Sequence, residues 1–425
     1  MADRELGFRR NAQGALTISG TPLGALLAPL IEASRIGTPA YVYDLDGLSA
    51  GARALEASFG TAPHLTAYAV KANTAGTVVR ALAAAGTGAD VVSGGELEVA
   101  LGAGIAPRNI VMSGVGKTDA ELDQAIGRDI FAVQVESVEE IERLAARARA
   151  AGKRARLGLR VKPGVLIDSH AHVATGHDQA KFGIARSELG AAWERVDAHP
   201  ELVGVGVSAH VGSMLREVEP YLASARVVVD VVKTRLASGR ALEYLDFGGG
   251  YGIDYGDAPA PAPPSFVSRS LALLAAEGLE KLRFVIEPGR SLVGAYGVLV
   301  ARVVQTKQSE GRRWTMLDAG MNDLVRPALY GAKHRVELLD AAPAEPEWRV
   351  VGPVCESSDD FGAHPLGPSP SGLVAIRDAG AYGFVLASEY NGRALPAEVF
   401  VSGGAVTHVS ASPGRDAWVK RRLEA

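Results

Sequence analysis

A regular alternation between residues 65 and 290 limits the possible folds more than any other feature. Short β-rich runs alternate with runs such as SVEEIERLAARARAAG, in which apolar residues recur at helical spacing with charges between them. Eight β-rich runs occur: LTAYAVK, ADVVS, NIVMSG, FAVQVES, RLGLRV, GVGVSAHVGS, EYLDFGGG and RFVIEPGR. Eight β/α units of this length predict a (β/α)8 barrel, with an open doubly wound sheet as the alternative.

The pattern changes after residue 291, where β-rich runs such as RRWTMLDAG and PAEVFVSGG are joined by turn residues. This change predicts an all-β domain, a Greek-key barrel or sandwich, over residues 292–425. We place the (β/α)8 TIM barrel at residues 39–291, where an additional strand and helix precede its first strand. Residues 1–38 do not fit the barrel pattern, so we expect them to pack with the β domain.

The composition argues against several classes of function. A net charge of −4 and a pI of about 6.2 provide no basic field for nucleic acid. There is no uninterrupted apolar run of about 18 residues, so no membrane span is expected, and the N-terminus lacks the apolar region of a signal peptide. The only cysteine, Cys355, cannot form an internal disulfide, which favours the cytoplasm.

Nearly every predicted barrel strand ends in a polar residue or a glycine. Each such residue alone has an ordinary explanation, as a core histidine, a glycine turn or a lysine that reaches solvent. Because barrel active sites form at the C-terminal ends of the strands, these residues are expected to converge on one mouth. They are Lys71, Ser93, Gly114, Glu136, Arg160, His210 with Ser213, Gly248, Gly249 and Gly250, and Glu287 with Arg290.

This set suits a cofactor that carries both a phosphate and a carbonyl group. The glycine run 248–250 would let backbone N–H groups approach a phosphate closely. Ser213 and Arg290 would add a hydroxyl and a positive charge. A lysine at the strand end, Lys71, could hold an aldehyde as a Schiff base, because burial lowers the pKa of a lysine.

The remaining strand ends suit an aromatic nitrogen ring. Glu287 could pair with a protonated pyridine nitrogen, and His210 could lie flat on the ring. Together with the phosphate and aldehyde partners, they predict pyridoxal 5'-phosphate. Asp90 and Glu96, near the end of the second strand, either orient Lys71 or are solvated acids at a helix start.

The segment DSHAH with His177 contains His-x-His, a known spacing of metal ligands, and so is a candidate metal site. A cluster of carboxylates or cysteines would be needed beside it, and the sequence offers none. We therefore predict no metal, and we expect this segment to be a surface loop over the barrel mouth.

At these motifs the sequence resembles the fold-type III pyridoxal-phosphate decarboxylases, over roughly residues 39–400. YAVKAN resembles the Schiff-base motif of that family, HVGS the motif of the ring-stacking histidine, FGGGYG the glycine loop and EPGR the pyridine-pairing motif. By this resemblance Lys71 is catalytic, and the barrel strand ends, Arg160 included, bind the cofactor.

Two motifs of the second domain extend the resemblance. VCESSD resembles the segment that carries the catalytic cysteine, here Cys355, and that reaches into the partner's active site in a dimer. DAGAYG resembles the motif whose tyrosine, here Tyr382, contacts the cofactor phosphate. The resemblance therefore implies a homodimer with active sites shared across the interface.

Within the family, DAGMNDLVRPALYGAKH, VATGHDQAKFGI and SEYNGR are similar to substrate segments of the branch that acts on diaminopimelate. By that resemblance Arg326 and Tyr330 hold the distal carboxylate of the substrate and Glu356 its distal amine, while Arg290 and Tyr382 also contact it. A substrate that ends in an ammonium and a carboxylate needs an anion and a cation there. The expected reaction is decarboxylation of meso-2,6-diaminopimelate to L-lysine, the last step of lysine biosynthesis.

Departures from that branch leave alternatives open. Met214 stands where glutamine is usual, Ser358 replaces a glycine, and the C-terminal run VSASPGRDAWVKRRLEA differs from the usual ending. A related decarboxylase acting on a carrier-bound or citrate-conjugated amino acid, or on ornithine or arginine, is one alternative. A racemase is disfavoured by Glu287, because racemases of this fold place an arginine there. A non-catalytic or regulatory homologue that binds the cofactor is disfavoured because Lys71 and Cys355 are both present.

Overall fold

The computed structural model describes residues 7–165 and 181–424. The chain divides into two compact units. The barrel unit comprises Gly51–Ile253 and Ala260–Ser291, and the β-rich unit comprises Met1–Ala50, Asp254–Pro259 and Leu292–Ala425. The candidate metal segment, with its three histidines, and most of the motif VATGHDQAKFGI lie outside the described residues.

The N-terminal elements belong to the β-rich unit. They are strands β1 (Phe8–Arg10), β2 (Leu16–Ile18) and β3 (Thr21–Pro22), helix α1 (Leu23–Glu32) and strand β4 (Ala40–Asp44), followed by helix α2 (Leu45–Ala57). Strands β1 to β3 form a small antiparallel sheet. Apolar side chains of β2 and α1, such as Leu16 and Leu27, share one buried cluster with Val42 and Val399 of the main sheet of this unit.

Strand β4 differs from its expected place at the start of the barrel segment. It pairs with two strands of the β-rich unit, Gly297–Ser309 and Ala397–Ser402. All five of its residues, AYVYD, are buried, which is typical of a central strand covered on both faces. The first segment of the β-rich unit accordingly runs to Ala50 instead of ending at residue 38.

The barrel unit contains the eight predicted parallel strands, with an α-helix between each strand and the next. Its elements are β5 (His64–Ala69), α3 (Gly76–Ala84), β6 (Gly88–Val91), α4 (Gly94–Gly102), β7 (Ile110–Met112), α5 (Asp119–Arg128), β8 (Ala132–Val135), α6 (Val138–Ala150), β9 (Ala155–Arg160), α7 (Leu189–Ala198), β10 (Leu202–Ser208), α8 (Glu219–Ala237), β11 (Tyr244–Gly249), α9 (Pro263–Ala276) and β12 (Arg283–Glu287). The strands close in the order β5 to β12, and β12 pairs in parallel with β5. The prediction of a (β/α)8 barrel is confirmed, and the open doubly wound sheet is excluded because the sheet has no edge.

Local sequence explains where several barrel helices begin. Ser93, Thr118 and Ser137 each accept a hydrogen bond from a backbone N–H in the first turn of the helix that follows, in α4, α5 and α6. Such caps satisfy N–H groups that have no partner inside the helix. The caps Ser93 and Ser137 each lie two residues after a strand end, so α4 and α6 begin close to the barrel mouth.

Tyr244 fills part of the barrel interior and is fully buried. A Cβ added at Gly158 would lie 2.0 Å from the Tyr244 hydroxyl, and one added at Gly206 would lie 2.2 Å from its ring. Glycine on β9 and β10 therefore makes room for the large side chain on β11. The packed interior leaves the strand ends as the place for polar groups.

The second part of the β-rich unit is built mainly from strands. Its elements follow helix α10 (Arg290–Val293) and are β13 (Gly297–Ser309), β14 (Arg312–Leu317), α11 (Arg326–Tyr330), β15 (Val336–Leu338), β16 (Glu347–Val351), β17 (Asp360–Pro365), β18 (Leu373–Ile376), β19 (Ala397–Ser402), β20 (Ala405–Ser410) and α12 (Gly414–Leu423). The main sheet runs β17-β16-β14-β13-β4-β19-β20, and β18 joins it at β13 with β15 beside it. A β domain after the barrel was predicted and is present.

In the described ranges, no helix has the length and apolar character needed to cross a membrane.

Candidate active site

Lys71 lies on a short 3-10 turn, Val70–Ala72, directly after barrel strand β5. Its Nζ donates to Oδ2 of Asp90, 2.7 Å away at the end of β6. Asp90 is fully buried, and its Oδ1 accepts a hydrogen bond from the Ser113 hydroxyl. Glu96 accepts from the backbone N–H of Val92 instead. Of the two acids weighed from the sequence, Asp90 therefore holds the lysine amine and Glu96 holds the start of a helix.

Glu287 ends strand β12 and belongs to a buried network that the motifs did not reveal. The side-chain amide of Gln134 donates to Glu287 Oε1 at 3.1 Å and to Asp246 Oδ2 at 2.7 Å. Ser208 in turn donates to Gln134 Oε1 at 2.9 Å. Gln134 and Asp246 interrupt otherwise apolar strands, and that interruption was the available signal, since buried polar groups need partners.

The network concentrates carboxylates at one end of the site. Burial raises the pKa of Glu287 well above its usual value, and the nearby carboxylates of Asp246 and Asp90 raise it further, while Lys71 and Arg160 partly offset them. Burial also raises the pKa of Asp246 to about 6, even though the N–H of Gly248 donates to it. This end of the barrel mouth therefore favours a cation beside Glu287.

His210 follows strand β10 and is held in one tautomer. The backbone N–H of Gly249 donates to its Nδ1 at 3.2 Å, so the ring proton lies on Nε2. Burial lowers the pKa of His210 to about 3, and the charges of Arg160 and Lys71 lower it too. The imidazole is therefore neutral and lies near both cations, 3.8 Å from Glu287 Oε2 through its Nδ1.

The glycine run at the end of β11 lies too close to neighbouring backbone for any side chain. A Cβ at Gly249 would be 1.9 Å from the carbonyl oxygen of Glu287, and one at Gly250 would be 1.9 Å from that of Gly212. Gly248 has a φ of +71°, which favours glycine, and a Cβ there would be 2.5 Å from the carbonyl oxygen of Ala209. The run thus forms a bare backbone surface between the ends of β10 and β12.

Two further residues of this mouth are polar. Arg290 is buried and its Nη2 donates to the Ser213 hydroxyl at 3.2 Å. Met214, one of the departures from the related branch, follows with a left-handed φ of 64°. Arg290 and Ser213 place a positive charge and a hydroxyl on the anion-binding side predicted from the sequence.

Arg160, at the end of β9, is held by a second buried network. Its Nη1 donates to Oε1 of Glu136 at 2.8 Å. The backbone N–H of Glu136 donates to Glu140 Oε2 at 2.8 Å, and Lys117 Nζ lies 3.0 Å from Glu140 Oε1. Lys117 also donates to the carbonyl oxygens of Gly114 and Gln134, each at 2.7 Å. Two buried ion pairs, neither of them predicted from the sequence, therefore support the guanidinium of Arg160.

The residues of the barrel mouth fit pyridoxal 5'-phosphate. Buried carboxylates at one end favour the protonated ring nitrogen, because burial and, for Glu287, the neighbouring carboxylates raise their pKa values, and a cation beside them would stabilise their ionised form. Arg290 and Ser213 suit an anionic phosphate. The N–H groups of Gly248 and Gly249, which the sequence predicted for the phosphate, donate instead to Asp246 and His210. Lys71 presents a primary amine at the end of β5, between the neighbouring strands β12 and β6. The mouth thus offers a partner for the nitrogen, the phosphate and the aldehyde.

In the β-rich unit, Arg326 begins helix α11 and is buried. Its Nη1 donates to Nε2 of His334 at 2.8 Å, and the Nδ1–H of His334 donates to the carbonyl of Arg377 at 2.8 Å. The guanidinium also lies 4.7 Å from the ring centre of Tyr255. Tyr330, at the other end of α11, is half-buried. Arg326 is therefore a fixed cation in its unit.

The motifs VCESSD and SEYNGR come together in the same unit. The backbone N–H of Cys355 donates to Oδ1 of Asn391 at 3.2 Å, and the Tyr390 hydroxyl donates to Glu356 Oε1 at 2.7 Å. Cys355 and Glu356 are both exposed in the single chain. The structure thus places the predicted acid and thiol on one segment that a neighbouring turn restrains.

The remaining predicted residue, Tyr382, lies in the DAGAYG turn of the β-rich unit. It is half-buried and has a left-handed φ of 55°. Ser358, the second departure, donates its hydroxyl to the Met321 sulfur at 3.6 Å. Among the residues that the structure describes, no group of three or more His, Cys, Asp or Glu side chains is arranged to hold a metal.

Comparison with known proteins gives consistent results. Residues 45–294 match the pyridoxal-binding domain of the pyridoxal-dependent decarboxylases. The chain is 40% identical to the diaminopimelate decarboxylase of Zymomonas mobilis over 92% of each chain. It is also 40% identical to that of Pseudomonas aeruginosa, over 87% of this chain and 89% of the relative.

A solved structure is similar over nearly the whole chain. Diaminopimelate decarboxylase from Helicobacter pylori in complex with L-lysine aligns with a TM-score of 0.87 and 34% identity. The alignment covers 93% of this chain and 99% of the other.

Proposed function

This chain belongs to the family of pyridoxal-dependent decarboxylases, and from that premise we propose that it converts meso-2,6-diaminopimelate to L-lysine and carbon dioxide. One observation carries the chemical part of the proposal. A barrel mouth that joins an amine, a cluster of buried carboxylates and the pair of Arg290 and Ser213 suits this cofactor. Relatives named diaminopimelate decarboxylase, 40% identical over most of their length, support the substrate.

Bound pyridoxal phosphate supplies an electron sink for the electron pair left when the α-carboxyl group departs. Asp90 holds the Lys71 amine at the end of β5. In that position the amine can accept a proton at Nζ or return one. Glu287 carries the charge that balances a protonated ring nitrogen, and Gln134 orients its carboxylate. His210 presents a neutral ring face because Gly249 holds its proton on Nε2.

The β-rich unit supplies the proposed substrate contacts. The fixed guanidinium of Arg326, with Tyr330, takes the distal carboxylate of the substrate, and Glu356 takes its distal ammonium. Cys355 returns a proton from Sγ to the substrate Cα after carbon dioxide leaves. Tyr382 contacts the cofactor phosphate and the substrate. Ornithine ends in an amine alone, so it would make no use of Arg326.

We propose that the active form is a homodimer in the cytoplasm. Cys355 and Glu356 are exposed in the single chain, which suits a role in the active site of a second copy. Inactive Lys71→Ala and Cys355→Ala chains, when mixed, should then recover part of the activity, because some sites combine the intact residue from each chain. If the two chains are verified to exchange subunits and no activity returns, that result would contradict shared sites.

The substrate is tested by carbon dioxide release from meso-diaminopimelate, ornithine, arginine and lysine, assayed in parallel with the cofactor present. We expect release from diaminopimelate alone. Release from ornithine or arginine in its place would overturn the substrate. Absence of release from all four would favour the alternative of a conjugated amino acid, to which the Met214 and Ser358 departures point. Conversion of an L-amino acid to its D-form without carbon dioxide would indicate a racemase.

A further inference from the structure

The C-terminal helix α12 packs on the turn Glu389–Gly392 of the β-rich unit. A Cβ at Gly392 would lie 3.0 Å from Cη2 of the Trp418 ring, so the indole rests directly on that glycine. Gly392 has a φ of +68°, a conformation that favours glycine. In the same helix, Arg421 forms an ion pair with Glu389 at the start of the turn. The helix therefore contacts both ends of the turn.

The side chains at the centre of this turn point to another segment. Asn391, with a φ of 57°, places its Oδ1 3.2 Å from the backbone nitrogen of Cys355. The hydroxyl of Tyr390 donates to Glu356 at 2.7 Å. Both recipients are exposed, so each of these hydrogen bonds restrains a residue with little other packing around it.

A route of direct contacts thus leads from α12 through the turn to the segment with the thiol and the acid. We propose that Trp418 and Arg421 are positioning residues that hold Cys355 and Glu356 in their working geometry through the turn Glu389–Gly392. This inference rests on the roles proposed above for those two residues. It concerns the C-terminal run, which differs from the usual ending of the related branch.

The physical reason lies in the cost of a small displacement. A proton donor or a charged substrate partner works only within a narrow range of distance and angle, so loosening its segment lowers the rate without removing the group. An indole packed on Gly392 restricts the turn by shape, and the ion pair of Arg421 adds a weaker, solvent-screened restraint. We therefore expect Trp418 to matter more than Arg421.

The test uses the full-length holoenzyme and two independent measurements. Hydrogen–deuterium exchange of the peptide that contains Cys355 reports whether the turn still holds that amide. Steady-state kinetics with diaminopimelate report the consequence for turnover. The variants are Trp418→Ala, Trp418→Phe, Arg421→Gln and Asn391→Gly. The last deletes the tether to Cys355 and keeps a residue that tolerates the left-handed backbone. Lys420→Ala, on an exposed position of the same helix, is the matched control.

We expect Trp418→Ala and Asn391→Gly to exchange the Cys355 amide faster and to lower kcat by about tenfold, with full cofactor absorbance. Trp418→Phe should keep both the exchange rate of the Cys355 amide and kcat close to those of the wild type. Arg421→Gln should raise the exchange rate and lower kcat by less than Trp418→Ala does. Exchange and kcat equal to those of Lys420→Ala in all four variants would overturn the inference. If Trp418→Ala does not fold, the exchange rate and kcat of Asn391→Gly and Arg421→Gln decide whether the inference holds.

The two measurements also separate this inference from the proposed function. Wild-type protein that releases no carbon dioxide from diaminopimelate would refute the proposed function, while exchange would still decide whether α12 holds the segment. Active wild-type protein whose Cys355 amide exchanges at the same rate in every variant would refute the inference alone. Faster exchange with unchanged kcat would also refute it, because the contact would then be structural only.

Discussion

The barrel unit and the β-rich unit position their candidate residues in different ways. In the barrel, those residues follow parallel strands, and side chains from several strands share buried networks such as that of Gln134, Asp246 and Glu287. In the β-rich unit, they lie on turns and a short helix, and single hydrogen bonds restrain exposed groups such as Glu356. The barrel thus fixes most of its candidate charges by burial, whereas the β-rich unit combines one buried candidate cation, Arg326, with exposed groups held by local contacts.

This difference indicates that the barrel unit should control protonation and cofactor binding and that the β-rich unit should control substrate recognition. Buried charges determine protonation and cofactor binding, since their pKa values depend on solvation and neighbouring charge. Exposed or singly tethered groups suit the recognition of a substrate end, which must enter and leave. Variants in the barrel should therefore affect cofactor and fold, and variants in the β-rich unit should affect substrate preference. Three predictions test this division, and a fourth tests a buried carboxylate of the β-rich unit.

The largest effect is expected at Lys71 of the barrel. Lys71→Ala should abolish the visible absorbance of covalently held cofactor and lower turnover by at least about a thousandfold, because the primary amine is lost. Absorbance spectra and carbon dioxide release measure the two effects. Lys281→Ala, an exposed lysine of the same unit, should match the wild type. Full activity in Lys71→Ala would refute the proposed chemistry.

The next effect is expected at the buried ion pair beneath Arg160. Lys117→Met should lower the free energy of unfolding by about 3–5 kcal/mol, because Glu140 is left as an uncompensated buried charge. The double variant Lys117→Met/Glu140→Gln should recover part of the loss, since it removes that charge and keeps an acceptor for the N–H of Glu136. Urea unfolding measures both. If the single and double variants are equally stable, the buried charge of Glu140 is not the cause of the lost stability.

In the β-rich unit, Arg326 should control substrate recognition. Arg326→Lys keeps the charge but loses the planar fork, so KM for diaminopimelate should rise by about tenfold or more, with cofactor absorbance unchanged. Steady-state kinetics and spectra provide the comparison, and Arg313→Lys, at an exposed position, is the control. Loss of cofactor with unchanged KM would break the proposed division between the units.

The smallest effect concerns Glu398 in strand β19. Burial raises its pKa to about 7, although the Tyr43 hydroxyl donates to it. Its contribution to stability is therefore fully present below the pKa of the unfolded chain, near 4.3, and is lost as the pH rises through about 7. Glu398→Gln should remove this loss and gain on the order of 1 to 2 kcal/mol relative to wild type at pH 8.

Thermal unfolding of wild type and Glu398→Gln between pH 5 and pH 8 measures this gain. The difference should grow with pH in favour of the variant. Glu347→Gln, an exposed carboxylate of the same unit, should show no such trend. A difference that shrinks as the pH rises would show that the carboxylate is stabilised in its ionised form.

The sequence alone was sufficient for the closed barrel and for which strand-end residues share one end of it. Eight β/α repeats specify a closed parallel barrel, and closure places residues such as Lys71, His210 and Glu287 at the same end without further information. The glycine run was also readable, since neighbouring strand ends leave room only for backbone there. A repeat in the sequence predicts the overall arrangement because each β/α unit packs on the next in the same way.

Other features depended on contacts between distant parts of the chain. Strand β4 joined the β-rich sheet because pairing on both sides, with β13 and β19, buried all of its residues. Gln134 and Lys117 became parts of networks because strand register and helix packing brought acceptors to them.

Composition and periodicity thus determined which elements form and which ends share a face, because those depend on local propensity and repeat length. Only the tertiary structure decided which buried polar groups meet, since a hydrogen bond depends on fractions of an ångström that no one-dimensional pattern records.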